Sequence, residues 1–352
     1  MTPNAWSNPQ PTAGGEPTIA PIADLSYRNY DGPLKSRTFR WWIVALSTIR
    51  GNVNRNRLGF WLPVGIVFLT YLVRAIYFYF HQTINANLAE RGIPLPDDYA
   101  RPFAASLYNS MSLGFTSLMV FIATLVVGSS SIAADNRANA LLVYLSKPLS
   151  RVDYLLGKWM GVFLLLAGVI LGPSLLMYLF FLGAYYSDGF LKNDPTLILR
   201  VLVAGAIPAL LHASLIVGFS AWSKSGRVTG AIYAAFYLIL NSLTLTFGSI
   251  LYFSDKSGTK TVQTSMILHS SIDGVADGLA QHVYDVPPPS FGGRIFGGRR
   301  HGRRPDRPLV EMPRKTPDSP PLWYVLLLAG GYVILPLSAA AVKIRAVEVV
   351  RG

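Results

Sequence analysis

The chain alternates between long runs of apolar positions and shorter polar connections. The runs cover residues 59–80, 106–130, 157–184, 196–221, 228–253 and 321–342. Each is near the roughly 20 residues an α-helix needs to cross a bilayer core, which predicts an all-α membrane protein with six transmembrane helices. Two connections carry a different pattern. In "RTFRWWIVALSTIRGNVNRN" (37–56), Trp42, Ala45, Leu46, Ile49 and Val53 share one helical face. Arg40, Ser47, Arg50 and Asn54 share the opposite one, while Ile43 and Val44 break the stripe. A helix lying in the membrane interface is predicted, with a tryptophan pair beside arginine at headgroup level.

The second patterned connection follows the second run. Asp135 is placed to cap a helix in which Ala138, Leu141, Leu142 and Leu145 recur at i, i+3, i+4 and i+7, with Arg137, Tyr144 and Lys147 towards the other face. Pro148 stops that helix, and Ser150 with Asp153 has capping-box spacing, starting a helix that enters the third run. A short amphipathic helix of this kind either rests on the bilayer or projects into a groove of a soluble partner. The pattern alone leaves both open.

Composition agrees with a membrane protein: 51% of residues are hydrophobic and 14% charged, against roughly a quarter charged in soluble domains. The first 23 residues are Pro-rich, without the basic start and apolar core of a signal peptide, and read as a disordered tail. Residues 24–57 then form a cytoplasmic and interfacial segment, and 58–352 the six-helix domain. With no Cys there are no disulfides, Fe–S ligands or thiol nucleophiles. The net charge of +13 is unevenly placed. With both termini inside, sixteen Lys/Arg lie on the inner side, and the two short outer loops hold only Arg91, Arg101 and Lys192. That follows the positive-inside rule. The outer loop 254–320 carries ten Lys/Arg, mostly in "GGRIFGGRRHGRRPDRP". Loops of that length translocate largely regardless of charge, and the Arg/Gly tract reads as solvated disorder. The other reading is contact with anionic headgroups or envelope polymers; no nucleic acid is expected there.

Gly157, Gly161, Gly168 and Gly172 fall on one side of the third run, a strip that admits close approach of a neighbouring backbone. Pro173, Pro208 and Pro336 interrupt the spans. His212 follows Pro208 by one turn in the fourth run. An ionisable group within a span is a functional hypothesis by default, so His212 is a candidate path-lining residue. The competing reading is a structural imidazole that bonds a carbonyl loosened by the kink, or one on a neighbouring helix. Asn241, with the Ser/Thr residues of 241–249, lines a path or ties helices together. Arg74 is explained by snorkelling to the outer surface. His269, Asp273, Asp277 and His282 come near one another if helical, but the five His residues show no metal spacing. No P-loop pattern is present, so ATP chemistry would belong to another polypeptide.

The segment "AADNRANALLVYLSKPLSRVDYLLGKWMG" (133–161) resembles the loop after the second span in ABC-2 type transporter permeases. The residues that carry the likeness are Asp135, Arg137, Ala140, Leu142, Leu145, Ser146, Pro148, Leu149, Ser150, Arg151, Asp153 and Gly157–Lys158. "YRNYDGPLKSRTFRWW" and the closing "KIRAVEVVR" are also similar to members of that family; the Arg/Gly loop departs from it. The resemblance implies a type V exporter-like fold in a bacterial inner membrane, with residues 37–56 as elbow helix. It also implies a coupling helix that docks on a cytoplasmic ATPase through Asp135, Arg137, Ala140, Leu142, Tyr144, Leu145, Ser150, Arg151 and Asp153. ATP and Mg would be held by that partner, and a second permease copy or a paralogue would complete the path within the lipid bilayer. Short re-entrant helices are implied for the outer region near Ile272, Val275, Ala276 and Leu279. A membrane scaffold is the alternative function. An intramembrane enzyme is disfavoured because the spans hold no Asp or Glu.

Overall fold

A computed structural model describes residues 39–55, 57–91, 100–111, 114–140, 149–187, 190–255, 260–286 and 319–344. The expected tail 1–23, the Arg/Gly tract 292–308 and the amphipathic stretch 141–148 lie outside these residues. Among the described residues the secondary structure is helical: α1 (Arg40–Arg55), α2 (Arg57–Glu90), α3 (Ala100–Met111), α4 (Gly114–Gly128), α5 (Ala133–Arg137) and α6 (Arg151–Ala184) come first. Then follow α7 (Phe190–Asn193), α8 (Leu197–Ala221), α9 (Gly226–Ser254), α10 (Thr261–Leu268), α11 (Ile272–Tyr284) and α12 (Leu322–Lys343).

Six segments are long and apolar enough to span a membrane: Leu58–Leu88, Gly114–Arg137, Arg151–Ala184, Leu197–Ala221, Gly226–Ser254 and Leu322–Lys343. Their number matches the hydropathy pattern, but one boundary does not. The first helix runs on past Phe80 to Glu90. Its added turns are polar and hold themselves together: Thr83 Oγ1 donates to Tyr79 O (3.0 Å) and Asn87 Nδ2 to Thr83 O (2.9 Å). Hydropathy marks where the apolar run stops, not where the helix stops. The second run meets α3 and α4, with residues 112–113 between them outside the described residues. α3 ends at Met111 and α4 begins at Gly114. Phe103 of α3 is drawn into an aromatic cluster with Phe78, Phe181 and Phe190, the ring centroids 6.0, 4.8 and 5.0 Å away.

α8 is the axis of the bundle: 72% of its apolar window is buried, against 17% for α9 and 11% for α12. The last two therefore turn most of their apolar surface outward. Beyond α9 the chain folds back. α10 packs on α9 so closely that a Cβ on Gly248 would lie 2.3 Å from Leu268 Cδ2. After a turn at 269–271, Ser271 caps α11 by accepting from Gly274 N at 3.1 Å. Ile272, Val275, Ala276, Leu279 and Ala280 of α11 are buried, and Asp285, left-handed at φ 54°, ends the helix. The deep tip of this hairpin reaches Tyr237, eleven residues or about 16 Å along α9 from Gly226. The apolar stripe expected in this region is thus a re-entrant helix inside the bundle.

Candidate functional site

α5 is only five residues long and has no side-chain cap of its own; its N-cap is Ile132. Asp135, expected to cap a helix, is instead inside α5. The free amides at the start of α5 are satisfied from another span: Ile132 N and Ala133 N both donate to Ser220 Oγ at 3.0 Å. Ser220 in turn donates to Ser129 O (3.2 Å). Asn136 returns the favour, its Nδ2 donating to Ala221 O (3.0 Å) and Ser223 O (2.9 Å) at the end of α8. Two helix ends, each with unsatisfied backbone groups, thus cap one another.

Asp135 also faces inward. Its side chain is 17% exposed, and Oδ2 accepts from Tyr154 OH at 2.6 Å and pairs with Lys158 Nζ at 2.8 Å, both on α6. On the remaining side, a Cβ on Gly226 at the start of α9 would sit 2.9 Å from Ser130 Cβ. The junction 129–137 continues α4 and is fastened to α6, α8 and α9. The helix expected to run unbroken from Asp135 is cut at Asn139, which is left-handed at φ 50°, a conformation Asn tolerates better than most residues.

The other docking candidates divide by position. Arg137, Ser150 and Arg151 are exposed, and Ala140 and Asp153 half-buried. Leu142, Tyr144 and Leu145 lie outside the described residues. The capping box expected from Ser150 and Asp153 is present. Asp153 N donates to Ser150 Oγ (3.0 Å), and Ser150 N and Oγ donate to Asp153 Oδ2 (3.3 and 2.7 Å). Exposed Arg137 and Arg151 therefore lie on either side of residues 141–148, while the two carboxylates are occupied within the chain.

The glycine strip of α6 also divides. A Cβ on Gly157 would meet Trp41 O at 2.5 Å and Val44 Cβ at 2.6 Å; one on Gly161 would meet Thr48 Cβ at 2.7 Å and Ala45 O at 2.9 Å. These two glycines seat α1. A Cβ on Gly172 would meet Phe68 Cζ at 3.1 Å, and one on Gly168 would meet nothing within 4 Å. The buried side of α1 is consequently Ala45 and Thr48, flanked by the half-buried Trp41 and Val44, and Trp42 of the expected apolar face is exposed. The tighter constraint is shape: at Gly157 and Gly161, α6 offers α1 a side-chain-free track.

His212 does not bond a loosened carbonyl. It is 1% exposed; Nδ1 meets the Tyr233 hydroxyl, and Nε2 lies 3.5 Å from Asp273 Oδ1. Tyr237 OH donates to Asp273 Oδ2 at 2.5 Å, and its ring stacks on Phe121 at 4.1 Å. The cluster joins α8, α9 and α11. His212 is thus enclosed between α9 and α11. Asn241 Nδ2 donates to Tyr237 O at 3.1 Å on its own helix. A second set lies further along α11. His269 Nδ1 donates to Ser265 O (2.7 Å), and Gln281 Nε2 bridges His269 Nε2 (3.0 Å), Tyr108 OH (3.1 Å) and Asp277 Oδ2 (3.4 Å). His282 stands apart on Pro320 O (2.8 Å). Among the described residues no group of three His, Cys, Asp or Glu is arranged to hold a metal.

Sequence reasoning missed Asn136, Ser220 and Tyr154 at the junction, and Tyr233, Tyr237 and Gln281 in the polar sets. It also placed no carboxylate within the bundle, because Asp273 and Asp277 belong to a connection rather than to a span. The legible signal for them was the apolar stripe of Ile272, Val275, Ala276 and Leu279, which carries its acidic neighbours inward.

No curated protein and no solved structure matches the chain. The family model for ABC-2 family transporter proteins matches residues 18–269, from before α1 to the tip of the re-entrant hairpin. Together with six membrane-spanning segments, that match shows that this chain belongs to the ABC-2 transporter family, as one of its multi-pass membrane components.

Proposed function

We propose that the chain is the permease subunit of a transporter driven by a separate ATP-binding subunit, which grips the segment between Arg137 and Arg151. One observation carries the reading: the root of that segment, residues 129–137, is joined to α8 by Ser220 and Asn136, to α6 by Asp135, and to α9 by the Ser130–Gly226 contact. In lipid, apolar contacts between helices gain little over contacts with acyl chains. Directed polar bonds resist sliding, so a pull at the segment between Arg137 and Arg151 moves the ends of four spans together.

The docking set divides accordingly. Arg137 and Arg151, with Ala140, Leu142, Tyr144 and Leu145 between them, meet the partner; Asp135, Ser150 and Asp153 hold the segment to the bundle. The Lys/Arg bias puts α5 and both termini in the cytoplasm of a bacterial inner-membrane protein, with α1 as the elbow helix. ATP and Mg are held by the partner. A second permease copy or a paralogue meets the outward apolar faces, and the substrate path lies between the two.

The test uses the full complex in proteoliposomes. Reversing both flanking charges (Arg137→Glu with Arg151→Glu) is expected to abolish co-purification of the ATPase. Asp135→Asn is expected to leave the ATPase bound and hydrolysing while transport falls about tenfold or more, the signature of lost coupling between intact sites. Retention of the ATPase by the double charge reversal overturns the docking assignment, and undiminished transport by Asp135→Asn overturns the role of the junction.

A further inference from the structure

We propose that the cleft between α2 and α4 binds an anionic phospholipid, its phosphate on Arg74 and one acyl chain along Leu69 and Ile66. The inference does not rest on the docking reading; only the leaflet it assigns follows from the sidedness proposed above.

Arg74 is the deepest charge in the six spans. It lies sixteen residues after Leu58 and fourteen before Leu88, the ends of its span. Every other Lys, Arg, Asp or Glu in the spans is within seven residues of a span end. A cation at such depth is costly without an anion beside it, and the neighbouring helices offer none. α2 has no acidic residue before Glu90, and α3 and α4 have none at all. Elsewhere, Asp153 is bonded to Ser150, and Asp194 pairs with Arg200 at 3.3 Å. Among the described residues the Arg74 guanidinium makes no hydrogen bond and no ion pair.

What stands beside Arg74 is apolar. Ile66, Leu69, Thr70 and Val73 of α2 and Phe115 of α4 line with it a cleft of about 410 Å³, within the roughly 300–1,000 Å³ of small-molecule sites. Thr70 gives its hydroxyl hydrogen to Ile66 O at 3.0 Å, so Arg74 is the only side chain of the lining with a hydrogen to donate. Leu69, Val73 and Phe115 are exposed, and the cleft opens on the side of the bundle, where lipid lies. From Arg74 it runs back eight residues, about 12 Å, along α2 to Ile66.

One cation at the end of an apolar trough matches one anion at the end of an apolar tail. The direction fits as well. With α2 running outward from the inner side, the trough leads from Arg74 towards the membrane centre, as the tail of an outer-leaflet lipid does. The apolar run ends at Phe80, six residues or about 9 Å beyond Arg74. The long arginine stem and headgroups drawn locally inward close such a gap. Snorkelling thus gains an endpoint, a phosphate gripped by the guanidinium fork. A soluble phosphate would leave the trough unfilled, and a zwitterionic lipid brings a cation of its own to the same place.

The test is native mass spectrometry of the full-length chain in a neutral detergent, titrated with phosphatidylglycerol or with phosphatidylcholine. One phosphatidylglycerol is expected to bind in preference to phosphatidylcholine. Arg74→Gln is expected to weaken that adduct about tenfold or more, the worth of a charge-assisted contact. Leu69→Trp fills the trough from an exposed position, leaves the cation in place, and is expected to weaken the adduct about as much. Glycerol 3-phosphate, which has the anion but no tail, is expected not to displace it. Equal binding of the two lipids by the parent overturns the proposal, as does parent-like binding by Arg74→Gln. Displacement by glycerol 3-phosphate as effective as by the lipid itself overturns it too, because charge alone would then be the attraction. Should Arg74→Gln fail to fold, Leu69→Trp decides: an unaltered preference for phosphatidylglycerol in that folded variant removes the cleft as the site.

Discussion

At the residue scale, the sharpest constraints come from atoms that leave no room or no partner. Gly161 and Gly157 lie against backbone oxygens of α1 that cannot rotate away, whereas Gly168 on the same face lies against nothing. Gly161→Val is therefore expected to destabilise by about 1–3 kcal/mol through overpacking, and Gly168→Ala to leave the unfolding midpoint in detergent where it was. Equal effects at both positions would show that glycine content rather than fit decides. Ser220→Ala strips two buried amides of their only cap at the start of α5 and is expected to cost about 1–3 kcal/mol. The exposed cap variant Ser150→Ala is expected to cost roughly 1 kcal/mol, so the two midpoints should separate in that order. A sequence reader sees the glycine spacing but not the neighbour. Periodicity reports which residues share a face, and only the fold says that α1 lies on Gly157 and Gly161 and that, among the described residues, no helix reaches Gly168.

At the element scale, patterns written in nearest neighbours were legible and those written across the chain were not. The capping box of α6 depends on two residues three apart and formed as spaced. The start of α5 depends on a serine 88 residues away from Ile132, and no local rule could supply it. For the same reason Asp135, read as a cap from its position before an apolar run, is a tether to α6. α3, which overlaps the start of the second apolar run, is held by rings contributed from α2, α6 and α7. Hydrogen exchange separates local from distant ties. Ser150→Ala should speed exchange of the amides at 151–153 without altering that of α5, whereas Asn136→Ala should loosen the end of α8 as well as α5. Confinement of the Asn136→Ala effect to α5 would rule out reciprocal capping.

At the scale of the whole molecule, burial is lopsided. α8 is enclosed, and α9 and α12 present large apolar side chains outward, among them Leu243, Phe247 and Ile250 on α9 and Leu326 and Leu335 on α12. Lipid and a second permease both satisfy such surfaces. Single cysteines at Leu243 and at Leu335, introduced into the cysteine-free chain, should form intermolecular disulfides in native membranes on the face that meets the second copy and not on the lipid face. Failure at both positions would remove α9 and α12 from the subunit contact. The count of spans and the family were legible from the sequence, because lipid imposes length and apolarity on each span separately. The hairpin's two acidic residues were not, since their burial depends on four other helices at once.

The seat of α1 on Gly157 and Gly161 also sets an order of events during synthesis. The ribosome must polymerise more than a hundred further residues before that groove exists. Until then the amino-terminal helix has no lodging in the nascent chain, and a chaperone or the bilayer surface must hold it. Its docking therefore marks the moment when the first three membrane crossings have come together.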